Sequence, residues 1–288
     1  MASIVDIHPH VISPDTRRYP LNPLGGTQST WSRDRPTPYE TLVTAMDDAG
    51  VHKAAIVQAS TAYGHDNTYV AEAVAAHPKR FTGVFSVDVL AADAVEKMKF
   101  WIGKGLTGMR LFTTGSTMPG QATWFDDPRS FPAWDYAGKA GIPVCMQMTP
   151  QGFPQLRGLL DRFTNVLVIL DHLARPKLVD GPPFAADSEF LDLAKYPNVF
   201  LKLTPLNVTP ADWGKATPQT WFPQTWFRTL IDRYGADRIA WGSNFPATDD
   251  SLAGILGKAQ SALSHASSEQ RSWIFGGTAQ RLYPSLKD

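Results

Sequence analysis

Near its N-terminus the chain reads Asp6-Ile7-His8-Pro9-His10, two imidazoles two positions apart. In extended backbone such residues point to the same side, so His8 and His10 aim into one space. Paired imidazoles ligate a metal, polarise a carbonyl or move protons near neutral pH. Alone, the triplet favours an exposed strand with two ordinary histidines. Other chemistry-bearing residues change that balance. Arg110 follows Gly108-Met109, Asp171 precedes His172, and Lys202 interrupts Phe200-Leu201-Lys202-Leu203. Gln58 and Ser60, Thr204, and the pair Ser243-Asn244 also end apolar runs. Polar side chains set into such runs are costly to bury without partners or a task.

Each has two readings. Arg110 is a structural ion-pair member or, more in keeping with its planar fork, a carboxylate binder. His172 is a satisfied core histidine or a catalytic group oriented by Asp171; we expect the second. A buried Lys202 needs either a partner or a ligand. Ser60 closes its strand or meets substrate, and Tyr63, in Tyr63-Gly64-His65-Asp66, is expected beside it. His65 lies in the same loop, while His52, His77 and His265 read as structural. Cys145, between Val144 and Met146, reads as a buried small hydrophobe, since no neighbouring charge in sequence would lower its pKa.

Something must bring these residues together. Eight short apolar runs recur: Ile4–Ile12, His52–Ser60, Phe81–Asp88, Leu106–Phe112, Ile142–Thr149, Val166–Leu173, Val199–Leu206 and Arg238–Phe245. Most are continuously apolar, as strands covered on both faces are. Segments of helical period separate them: Tyr39–Ala49 groups Leu42, Val43 and Met46, and Ala91–Lys104 groups Val95, Met98 and Ile102. Asp66 is placed to cap a helix over Asn67–Ala76, and Gly50, Gly105 and Gly141 sit where helices should stop. This alternation predicts an α/β fold, a single (β/α)8 TIM barrel over residues 1–288. A doubly wound sheet is less suitable, because no Gly-x-Gly-x-x-Gly or P-loop follows a strand. Two long aromatic connections, Ser13–Thr37 (with Tyr19 and Trp31) and Asn207–Gln224 (with Trp213, Trp221 and Phe222), leave strand C-termini and are placed to roof a pocket or merely to pad the surface.

The bulk properties exclude other classes. Of 288 residues, 43% are hydrophobic and 19% charged, the balance of a globular enzyme. Lys+Arg and Asp+Glu number 27 each without a basic block, so nucleic acid is not an expected partner. Cys145 is the only cysteine, which excludes an intrachain disulfide. The start MASIVDIHPH carries no signal-peptide pattern and no window resembles a membrane span, so a cytoplasmic protein is expected. Homo-oligomerisation stays open.

Together, Asp6–His10, Leu170-Asp171-His172-Leu173-Ala174-Arg175-Pro176 and Ala240-Trp241-Gly242-Ser243-Asn244-Phe245-Pro246 resemble the amidohydrolase superfamily. Tyr63–Asn67, Gly105–Leu111 and Gly276–Pro284 are similar to the branch of pyrone-dicarboxylate lactonase and the sugar lactonases. The resemblance spans nearly the whole chain. It implies a barrel hydrolase with its site at the C-terminal mouth. Metal-using members hold a divalent ion with the strand-one His-x-His, histidines on strands five and six, and a strand-eight aspartate. Here His8, His10 and His172 match, but strand five reads Cys145-Met146-Gln147-Met148 and strand eight offers Asn244. A neutral amide neither charges a metal site nor takes a proton from water, although it can donate to an oxyanion. Three imidazoles can still hold Zn2+ or another divalent metal. The expectation is therefore a lactone or cyclic-ester hydrolase without a tightly bound metal. His8, His10, His172 and Asn244 would be catalytic; Ser60, Tyr63, Arg110 and Lys202 would bind a small carboxylated substrate. A lactone isomerase, in which the substrate's own hydroxyl attacks, a metal-dependent decarboxylase, and an inactive barrel that binds a small acid are the alternatives.

Overall fold

The computed structural model of this chain describes residues 3–115, 117–118, 120–208 and 223–287. Most of the second long connection, with Trp213, Trp221 and Phe222, lies outside them. Eight parallel strands form one sheet in the order β1 to β8: β1 (Val5–Asp6), β2 (Lys53–Val57), β3 (Phe81–Phe85), β4 (Leu106–Phe112), β5 (Val144–Gln147), β6 (Val168–Leu170), β7 (Val199–Leu203) and β8 (Ile239–Trp241). Ile7 N–H donates to the Trp241 carbonyl at 3.2 Å, which brings β8 back to β1. The (β/α)8 barrel expected from the sequence is the fold observed.

Strand pleat sorts the apolar residues into two cores. Val5, Ala55, Val84, Cys145, Ile169 and Phe200 fill the barrel interior, whereas Met109, Leu111, Met146, Leu170 and Leu201 face the helical layer. Because both faces are covered, the strands read as continuous apolar runs instead of alternating ones. The C-terminal helix Thr278–Leu282 leads Tyr283 into the barrel's N-terminal end. Gly108 makes room for it, since a Cβ there would lie 2.7 Å from the Tyr283 ring. With that end plugged, access to the interior is from the opposite mouth.

Every expected strand is present, but the expected runs overshoot the ladders, mostly at their C-terminal ends. β1 stops at Asp6, β6 at Leu170 and β8 at Trp241, so His8, His10, His172 and Asn244 all lie beyond the strand ladders. Tyr39–Ala49 forms as read and Ala91–Lys104 shortens to Ala94–Gly103; Tyr39–Ala49 and the helix Phe131–Ala140 each end on a left-handed glycine (Gly50, φ 69°; Gly141, φ 65°). Before the helix Thr68–Ala76, Asp66 Oδ1 accepts from Thr68 N–H at 3.0 Å.

Candidate active site

Asp6 is the first positioning group. Its Oδ1 accepts from the backbone N–H of His8 (2.9 Å) and of Ser243 (2.8 Å), tying the exit of β1 to that of β8. Gly242 allows this approach, because a Cβ there would sit 2.6 Å from His8 Cβ. Burial pushes the Asp6 carboxyl up to about 6 despite the N–H groups it accepts from. Although off the ladder, the two imidazoles do converge: the His8 and His10 rings meet edge to face at 4.9 Å, and the His8 and His172 ring centres are also 4.9 Å apart.

His10 Nδ1 lies 2.8 Å from the Val57 carbonyl, which can only accept. The proton therefore resides on Nδ1, and Nε2 carries the lone pair. His172 Nδ1 lies 2.7 Å from Thr204 Oγ1, whose own hydroxyl can donate to Asn207 Oδ1 at 3.2 Å. Asn207 Nδ2 in turn donates to the His172 carbonyl at 3.0 Å, closing a loop of bonds that assigns His172 the same tautomer. Burial holds both rings neutral, at about 3, with the positive charges of Arg110 and Lys202 adding to the effect.

The stretch His172–Arg175 is a left-handed turn: φ is 52°, 54°, 53° and 56° at four consecutive non-glycine residues. Each costs roughly 1–2 kcal/mol relative to right-handed backbone, a strain typical of functional sites. The turn brings His172 and Arg175 to the same cavity, of about 170 Å3, together with His10, Trp31, Ser60, Arg110, Gln147 and Asn244. Trp31 covers His10 with ring centres 5.1 Å apart, so the first long connection does roof the mouth. The Ser60 hydroxyl is buried without a partner. Asn244, also left-handed (φ 53°), has its amide 3.3 Å from Thr248 Oγ1.

Beneath the cavity lies a buried ionic cluster. Asp171 Oδ1 lies 2.6 Å from Lys202 Nζ and accepts from the Cys145 thiol at 2.9 Å; its Oδ2 accepts from Arg110 Nε at 2.7 Å. Lys202 also donates to Cys145 Sγ at 2.8 Å, and Arg110 Nη2 donates to Gln147 Oε1 at 2.5 Å. Burial would raise the Asp171 carboxyl, but the Lys202 and Arg110 charges hold it well below the usual range. Burial, then the Asp171 charge, pushes the Cys145 thiol up to about 12, so it stays protonated.

Several expectations need correction. Asp171 does not orient His172; Thr204 does, because the left-handed turn swings the imidazole away from the preceding carboxylate. Lys202 does not line the cavity, being fully buried against Asp171 and Cys145. The Tyr63 hydroxyl is not at the cavity but accepts from Ser13 N–H at 2.9 Å. His8 lies wholly beneath the cavity surface, with neither ring nitrogen hydrogen-bonded. Cys145 is buried as expected, yet it belongs to an ionic cluster and not to a purely apolar wall. Arg175 and Gln147 were not singled out from sequence. Arg175 is exposed and has no side-chain partner among the described residues; partial desolvation and then the Arg110 charge lower its pKa.

The three histidines are the groups that could meet a divalent ion. The His8 nitrogens favour one, since neither is hydrogen-bonded among the described residues, although Nδ1 lies 3.7 Å from Asp171 Oδ1. The charges oppose it: Asp171 is already shared by Lys202 and Arg110, and those two cations lie beside the imidazoles that would have to hold an added dication. Among the described residues no group of three or more His, Cys, Asp or Glu side chains is arranged to hold a metal. The donor set does not fit a divalent ion.

The shifted groups make stability depend on pH. His10 and His172, neutral when folded down to about 3, take protons on unfolding below their unfolded value near 6.5, so their contribution is lost as pH falls through that window. Asp6 opposes them: its proton, kept to about 6 when folded, stabilises at low pH and is lost as pH rises from about 4 to 6. His8, held neutral well below its ordinary value by burial, acts in the same sense as His10 and His172, so the imidazole protons taken up on unfolding outnumber the one Asp6 releases and stability rises with pH from about 4 to 6.5. Urea midpoints at pH 4.5 and 6.5 check this; identical midpoints would refute it.

A closed parallel barrel whose imidazoles and guanidiniums gather at the C-terminal mouth has the build of a barrel enzyme. The amidohydrolase family model matches residues 5–285, and the chain belongs to that family. It is 29% identical over 170 residues to an L-fucono-1,5-lactonase of Burkholderia ambifaria, an alignment spanning 56% of each chain. To an L-fucono-1,5-lactonase of Burkholderia multivorans it is 28% identical over 240 residues, 76% of this chain and 77% of that one. Its fold is that of a Pseudomonas putida structure provisionally assigned as a 2-pyrone-4,6-dicarboxylic acid hydrolase (TM-score 0.79, 21% identity, both chains fully covered). It is equally that of a Burkholderia multivorans amidohydrolase with bound zinc (TM-score 0.77, 21% identity, 98% and 99% covered). Among the described residues no helix is long and apolar enough to cross a membrane.

Proposed function

We propose that the protein hydrolyses a lactone or related cyclic ester of a small carboxylated substrate without a tightly bound metal. One observation carries this reading: neutral imidazoles with assigned tautomers share a cavity with two guanidiniums, one of which has no side-chain partner among the described residues. The lactonase relatives support ring opening as the reaction. Arg175, with what remains of the Arg110 fork, seats the carboxylate. That seating also cancels charge that keeps His172 weakly basic. Nε2 of His172 then takes a proton from water as the water oxygen bonds to the carbonyl carbon. The carbonyl π pair moves to oxygen, where the Ser60 hydroxyl and the Asn244 amide can donate. Collapse re-forms the carbonyl and breaks the ring C–O bond. The departing alkoxide takes the proton back from His172, leaving a hydroxy acid. His10 Nε2 is a second acceptor on the same cavity.

A panel of lactones with and without a carboxylate, assayed with and without EDTA, tests this. Turnover is expected to favour carboxylated lactones and to survive chelation. Arg175→Met should raise KM about tenfold on carboxylated lactones, one lost charge-assisted contact, while neutral ones change little. Loss of all turnover in EDTA would overturn the metal-free reading; an equal effect of Arg175→Met on both classes would remove Arg175 from carboxylate binding.

A further inference from the structure

Beside the mouth lies a second cavity, of about 300 Å3, nearly twice the 170 Å3 of the first. The two share Arg110 and Phe112, which form the wall between them. Neither His10 nor His172 borders the second space. Its lining is mostly apolar, with Leu24, Val87, Leu90, Met118 and Trp124 around Phe112. The polar groups at its edge are largely engaged: His65 Nδ1 lies 2.9 Å from Ser86 Oγ, Asp88 Oδ1 accepts from Leu90 N–H at 3.0 Å, and Arg110 is committed through Nε and Nη2.

The cup is also preformed. Thr117 Oγ1 donates to the Leu24 carbonyl at 3.2 Å, tying the connection after β1 to the one after β4. Gly25 (φ +83°) packs so closely that a Cβ would lie 2.1 Å from the Thr117 carbonyl oxygen. An apolar recess held open beside a polar one costs exposed surface unless a ligand covers it. A small carboxylated ring fills the mouth and leaves this recess empty.

We propose that the second cavity is a substrate subsite for an apolar arm, aryl or branched alkyl, that passes Arg110 and Phe112 while the lactone stays with the histidines. The proposal rests on the lactonase reading of the mouth and narrows its substrates to carboxylated lactones with an apolar substituent. His65 then stands at the rim of the arm's pocket, remote from the reacting bond.

Binding, measured apart from turnover, provides the test. In calorimetry the wild-type protein should bind 3-phenylpropionate on the order of 10–100-fold tighter than propionate, the gain for burying a phenyl group. Leu90→Trp, which fills the recess from its rim, should abolish that difference and leave propionate affinity unchanged. Should that variant not fold, Trp124→Ala, which removes one wall, should shrink the difference severalfold. Equal affinity of the two acids for the wild type, or equal loss of both in the folded variant, overturns the proposal. Failure of the lactonase reading would be separately visible, as absent turnover on the lactone panel with the binding preference intact.

Discussion

His172→Ala is expected to lower kcat/KM by about 10²–10⁴-fold on the best lactone, the range for a positioned general base. The size follows from the ring's fixed state. Nδ1 is committed to Thr204, Asn207 completes the loop, and Nε2 is the ring's one basic atom, on a residue that lines the cavity. Alanine removes the acceptor without touching Arg110 or Arg175, so KM should move far less than kcat. Steady-state kinetics, with substrate affinity measured separately on the variant, checks that split. Turnover unchanged by the substitution would return His172 to a structural role and leave His10 to carry the base. Thr204 then becomes informative. Thr204→Val should cost part of the same activity, because the imidazole loses the acceptor that fixes its tautomer, and Thr204→Ser should restore it.

The residues of this machinery were legible in different degrees, for physical reasons. A (β/α)8 barrel announces itself through eight continuous apolar runs separated by helical period, and burial on both faces enforces that pattern on any sequence. His8, His10, His172, Arg110 and Asn244 stood out because polar groups at strand ends are unusual. What periodicity could not reach was the backbone beyond the ladders. Four successive left-handed residues from His172 to Arg175 have no glycine to announce them, so Asp171 was read as the partner of its neighbour and Arg175 went unassigned. The ionic cluster left a usable trace. Two-residue pleat on β7 places Phe200, Lys202 and Thr204 on one face, and on β5 it places Cys145 and Gln147 together. Following those inward positions would have put Lys202 inside the barrel with Cys145 and not at its rim.

Lys202→Met should destabilise the fold by about 3–5 kcal/mol, the cost of breaking a buried ion pair by removing one partner. The ammonium is wholly buried, 2.6 Å from an equally buried Asp171 carboxylate. Methionine matches the side chain's length and apolar stem, so packing changes little and the loss is electrostatic. Arg110 still holds Oδ2, but Oδ1 keeps only the Cys145 thiol. Asp171→Asn errs in the opposite sense, leaving Lys202 and Arg110 as uncompensated neighbours. The double substitution removes the facing ammonium and carboxylate and leaves only Arg110 uncompensated, so it should lose less than the sum of the two single changes, which makes the pair non-additive. Urea unfolding of the wild type, both single variants and the double variant gives that coupling directly. If the two losses simply add, the cluster is not acting as a unit, and Lys202 must be stabilised by something other than Asp171.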